Sequence, residues 1–228
     1  MYVQPAGSSY PWNGNVENCD CGTIPEDVYR LAERRINFFR RMNGLSDIKI
    51  NPELNPAAQE AAFIGEANKT LSHFPKKSAK CYSELAAKGC RTSNLSFGGD
   101  GMVPTEDYVT GFMEDWGPGN TEVGHRRWLL YSLLQEVGYG ATGQGEAITV
   151  SVNNALSMPD LPRAITYPWR GFVPANLIFP RWSFSLMDGL MKEASIAMGA
   201  LTALFCPAMA LFPRVNNSLM IIAEFLKR

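Results

Sequence analysis

The sequence predicts an α+β domain, and three observations carry that reading. Apolar residues recur at helical spacing from Val28 to Leu134. From Gln135 onward the period shortens to that of paired strands around a glycine-rich turn. Strand-to-helix alternations are few, which favours a layered α+β fold over a doubly wound sheet.

The elements follow in order. Residues 1–22, rich in Gly, Pro, Ser and Asn, read as an extended lead-in. Thr23 and Glu26 have the spacing of a capping box, with Pro25 at an early helical position. Val28, Leu31, Ala32, Ile36, Phe39 and Met42 then mark a first helix, stopped by Gly44. A second helix starts at Asn55 and Pro56 and fades near Leu71. Ser78 is the expected cap of a third, ending at Gly89, and Thr105 of a fourth, ending near Trp116. Val123 to Leu134 reads as a short helix with an apolar tail. Gln135 to Ala141 and Ala147 to Val152 read as strands. Prolines at 159, 162, 168, 174 and 180 exclude a long helix there.

The tail from Met187 to Arg228 allows two readings. Ala194 to Phe212 carries no Asp, Glu, Lys or Arg and is long enough for a membrane span. Gly199 and Pro207 interrupt it. Three short strands, Ser195 to Met198, Leu201 to Phe205 and Ser218 to Phe225, are favoured over a membrane or surface anchor.

Bulk properties narrow the function. At 46% hydrophobic and 19% charged, the chain can build a core and is not disordered. Its 228 residues suit one large domain or one domain with an appendage. A formal net charge of −1 gives no basic face for nucleic acid. Met1 to Tyr10 has no basic start and no apolar run, so no signal peptide is visible.

Cys19 and Cys21 form one cluster, Cys81 and Cys90 another, and Cys206 stands apart. Two bridges between the clusters are expected, which places the protein in an oxidising compartment, secreted or on the cell surface. Of the three pairings, Cys21 with Cys81 and Cys19 with Cys90 is favoured, leaving Cys206 free. Free structural thiols and a metal site are the alternatives, although these spacings do not suit zinc.

His73 and His125 are the two histidines of the chain. Asp115 precedes the glycine loop leading to His125. A carboxylate near two imidazoles can orient a tautomer, raise basicity or complete a metal site. The run Gly138 to Gly143 fits a dinucleotide pattern by letter, but it leads into a strand, with no helix N-terminus to hold pyrophosphate. Arg126 and Arg127 read as a helix face held by an ion pair. Phe38, Phe39 and Trp128 read as core. Asn68, Asn94 and Asn216 begin glycosylation sequons.

The segments Ile36 to Arg41, Leu54 to Ala62, Leu71 to His73, Ser93 to Leu95, Phe112 to Met113, Gly124 to Arg126 and Glu136 to Gly140 resemble the CAP superfamily in order and spacing. That superfamily includes cysteine-rich secretory proteins, insect venom antigen 5 and plant pathogenesis-related proteins. The likeness covers roughly Val28 to Val152 and is nearest the bacterial, exported branch, where Gly-His-Arg occurs. Tyr167 to Leu186 also looks like an extension found behind some bacterial members.

The resemblance implies a three-layer α-β-α sandwich at 23–155, with a Pro-rich segment and C-terminal β-rich extension at 156–228. It implies a cleft holding His73, His125 and Asp115, with Ser93 at a second acidic position and Asn94 beside it. Ser93 is a poor zinc ligand and no general base. The leading expectation is therefore an extracellular, non-catalytic module binding a peptide, glycan or lipid. The first alternative is a metal-dependent hydrolase, of protease type, with zinc or another divalent metal on His73, His125 and Asp115. There Glu84, Glu114 or Glu122 would stand in for the missing carboxylate. The second is a structural or adhesive surface protein.

Overall fold

A computed structural model describes residues 10–98, 102–103, 106–150, 162–186, 209–215 and 218–224. The lead-in begins with β1 (Tyr10–Pro11), then turns at an Asn15–Asp20 bridge. Helix α1 (Glu26–Met42) follows, with Val28, Ala32, Ile36 and Phe39 buried along one stripe. Acidic residues in its first turn and Arg40 and Arg41 in its last complement the helix dipole. The Thr23 capping box does not form. Pro25 occupies the N-cap, and Thr23 instead pairs with Asn13, accepting from Nδ2 and donating its main-chain N–H to Oδ1.

After β2 (Lys49–Ile50), helix α2 (Asn55–Asn68) ends earlier than Leu71, at Lys69 in a left-handed conformation. Helix α3 (Glu84–Thr92) is capped by Ser83, not Ser78; the Ser83 hydroxyl accepts from the Ala86 N–H. Strands β3 (Ser93–Phe97) and β4 (Met102–Val103) precede α4 (Glu106–Glu114) and α5 (Gly124–Leu129). The expected Thr105 cap lies outside the described residues. Strands β5 (Glu136–Ala141) and β6 (Gly145–Thr149) complete the central sheet.

That sheet has the order β2-β5-β6-β3, parallel between β2 and β5 and antiparallel elsewhere. One face buries Ala58, Ala61, Ile64, Ala86 and Cys90 of α2 and α3 against Leu95 and Ala147. The other buries α1, Val109, Phe112 and Leu129 against Val137, Tyr139 and Ile148. This is the α-β-α sandwich. The glycines of β5 and β6 serve helix–sheet contact, because a Cβ on Gly140 would lie 2.2 Å from the Gln59 nitrogen. Gly138 to Gly143 is therefore strand and turn, as expected, with no phosphate cradle.

The extension forms a second, antiparallel sheet. Its strands are β7 (Ala164–Tyr167), β8 (Arg181–Leu186), β9 (Met209–Val215) and β10 (Ser218–Glu224), in the order β7-β8-β10-β9. Tyr167, Trp169, Leu177 and Phe179 bury in the same cluster as Phe39. The strand expected at 218–225 is present; those expected at 195–198 and 201–205 lie outside the described residues. Among the described residues, no helix is long and apolar enough to cross a membrane.

One bridge joins Cys19 to Cys81, with Cα atoms 5.3 Å apart. This corrects the favoured pairing of Cys21 with Cys81 and Cys19 with Cys90. Cys19 sits in the Asn15–Asp20 turn, which brings it to the loop after α2. Cys90 faces the α2 core, where burial pushes its thiol up to about 11, and Cys21 is free as well.

Candidate functional site

His73 and His125 line one cleft of about 510 Å³, together with Leu71, Ser72, Leu95, Ser96, Phe97, Phe112, Asp115, Trp116 and Asn120. His73 arrives from the loop after α2, and His125 from the first turn of α5. The two helical layers thus each deliver one imidazole to the β3 end of the sheet.

Each ring is held by its Nδ1. His73 Nδ1 lies 2.7 Å from the Cys90 carbonyl oxygen. A carbonyl only accepts, so Nδ1 donates, and in the neutral form of the ring Nε2 is the acceptor. His125 Nδ1 donates to Asp115 Oδ1 at 2.8 Å, so its neutral form is the same tautomer. Phe112 packs edge-on against the His125 ring, with centroids 5.1 Å apart.

Asp115 is buried, and it grips His125 twice. Its Oδ2 accepts from the His125 N–H at 2.9 Å and from the Arg126 N–H at 3.3 Å. Asp115 has φ 56° and Val123 φ 45°, so left-handed residues bound the loop on both sides. Such a conformation is a strain for branched Val123, and backbone strain of this kind concentrates at functional sites.

Two arginines close the end of α4. Buried Arg126 donates to the carbonyls of Met113 (2.6 Å), Glu114 (3.2 Å) and Arg181 (2.9 Å), and stacks over Tyr167. Arg181 donates to the Asp115 carbonyl at 2.7 Å. Three successive carbonyls at a helix end are thereby satisfied, two by Arg126 and one by the extension. The expected ion pair holds for Arg127, at 4.0 Å from Glu122, but Arg126 is bound by carbonyls instead.

Asn94 is buried and donates to the His125 carbonyl at 3.0 Å, tying β3 to α5. Its burial also removes it as a glycosylation acceptor. Ser93 does not line the cleft: its side chain faces the α2 layer and bonds the Thr149 hydroxyl at 3.0 Å. Glu84, Glu114 and Glu122 do not line it either, and Glu84 pairs with Lys77 on the surface.

Asp115 is already engaged by its neighbours. Both Asp115 oxygens already accept from His125, and among the described residues no three His, Cys, Asp or Glu side chains group as a metal site needs. Of His73, His125 and Asp115, all three line the cleft, and Asp115 orients the His125 ring. Sequence reading missed Trp116, 76% exposed at the cleft rim, and Arg181, whose role depends on how the extension folds back.

The family model described as the cysteine-rich secretory protein family, CAP, matches residues 33–153. No curated protein and no solved structure matches the chain.

Proposed function

The chain belongs to the cysteine-rich secretory protein (CAP) family, and on that premise we propose that it is a secreted or cell-surface, non-catalytic module binding a ligand between His73 and His125. Members of this family are typically extracellular. One observation carries the reading: two imidazoles, each held through Nδ1, share a cleft in which Asp115 is the one lining carboxylate among the described residues. Such a pair recognises hydrogen-bond donors, whereas metal-assisted hydrolysis needs a fuller ligand set and a base. The Cys19–Cys81 bridge supports an oxidising compartment.

Calorimetric titration with zinc separates this reading from the hydrolase. The expected result is weak or no heat, abolished by His73→Ala. Tight stoichiometric zinc, with chelator-sensitive peptide cleavage lost in His125→Ala, would establish the hydrolase instead.

A further inference from the structure

The floor of the cleft is a terminal sheet strand, β3, whose Leu95, Ser96 and Phe97 line it. In antiparallel pairing, hydrogen-bonded residues turn both main-chain groups toward the partner, and the residues between turn theirs away. Val150 N–H donates to the Thr92 carbonyl at 2.9 Å, and Gly98 N–H to the Gln144 carbonyl at 2.8 Å. Both contacts share the register of Asn94 opposite Ile148 and Ser96 opposite Glu146. Asn94 and Ser96 therefore bond β6, while Leu95 and Phe97 turn their N–H and C=O groups outward.

Strand β3 ends the sheet, and among the described residues nothing hydrogen-bonds those outward groups. The outward groups of β5 are treated differently. Asn51 N–H donates to the Val137 carbonyl, Asn55 accepts from Tyr139 N–H, and Gln59 bonds both main-chain groups of Ala141. One side of the sheet is closed by such contacts; among the described residues the other is unpaired where the histidines converge.

We propose that the cleft binds an extended peptide by strand addition to the outer edge of β3, a proposal that rests on the cleft being a ligand site. A peptide main chain presents donor and acceptor together at a repeat of about 6.8 Å over two residues, the repeat at which Leu95 and Phe97 present theirs. Alternate side chains of the added strand fall on opposite sheet faces. One set meets a cavity of about 320 Å³ lined by Ile64, Leu71, Phe74 and Leu95. The other meets Phe112, Trp116 and His125. A sugar or acyl chain has no main-chain repeat to match that edge.

The probe is a random linear peptide library, selected on the wild-type protein. Enriched peptides should protect the Leu95 and Phe97 amides from hydrogen exchange. N-methylation at the peptide positions facing β3 should weaken binding about tenfold or more, and at the intervening positions leave it nearly unchanged. Phe97→Pro removes one outward donor at a site where an edge strand tolerates proline, and should weaken binding comparably with a folded protein. Absence of enriched peptides, or binding indifferent to N-methyl position, overturns strand addition. If N-acetylglucosamine oligomers then bind and His73→Ala abolishes that binding, the cleft reading stands without the peptide. Peptide binding that follows the N-methyl pattern but ignores both His73→Ala and His125→Ala leaves strand addition in place and removes the histidines from the site.

Discussion

Asp115 and His125 meet through both carboxylate oxygens, one on the imidazole Nδ1 at 2.8 Å and one on the main-chain N–H at 2.9 Å. The carboxylate fixes the ring and the start of α5 together. Asp115→Asn keeps a side chain that tolerates the left-handed backbone, yet presents only one accepting oxygen. A loss of about 1–3 kcal/mol is expected. Nitrogen chemical shifts should show His125 losing its single Nδ1–H tautomer, and ligand affinity should fall with it.

Arg126 is the counterpart on the buried side. Arg126→Met leaves the Met113, Glu114 and Arg181 carbonyls without their donor, and a cost of about 3 kcal/mol or more is expected in denaturant unfolding. Arg126→Lys should recover little, because an ammonium cannot reproduce the planar fork. Arg181→Ala should cost less stability but still weaken ligand binding, since it frees the Asp115 carbonyl.

Glu146 sets a pH dependence. Burial raises its carboxyl from the ordinary 4.5 to about 8, partly opposed by the Tyr139 hydroxyl. Between those values the folded chain holds a proton that the unfolded chain releases. Its contribution is full below about 4.5 and is lost as pH rises toward 8, at up to about 1.4 kcal/mol per unit. Unfolding at several pH values should show this decline, and Glu146→Gln should flatten it.

The bridge gives a direct chemical check. Non-reducing peptide mapping should recover Cys19 linked to Cys81, with Cys21 and Cys90 carrying free thiols. Alkylation should reach Cys90 only after unfolding. Cys81→Ala should cost about 4 kcal/mol, the entropy of a loop spanning 62 residues.

Much of the fold was legible in the sequence because its signals are local. The stripe Val28, Ala32, Ile36 and Phe39 forms α1, and Asn55 and Pro56 open α2. The paired histidines were legible through the order of several motifs. What failed depends on contacts across the chain. Thr23 is claimed by Asn13, ten residues away, and Cys81 by Cys19 rather than Cys21. Ser93 and Asn94 are neighbours in sequence, but a strand turns them to opposite faces, so one meets Thr149 and the other α5. Nothing in the spacing of Arg181 announces that it reaches Asp115.

The central claim is that His73 and His125 together bind a ligand without cleaving it. The most direct test is calorimetry of one library-selected peptide against the wild type and each histidine-to-alanine variant, with mass analysis of the peptide afterwards. The account predicts that either substitution weakens binding about tenfold or more and that the peptide is recovered intact. Unchanged affinity in both variants, or a cleaved peptide, would contradict it.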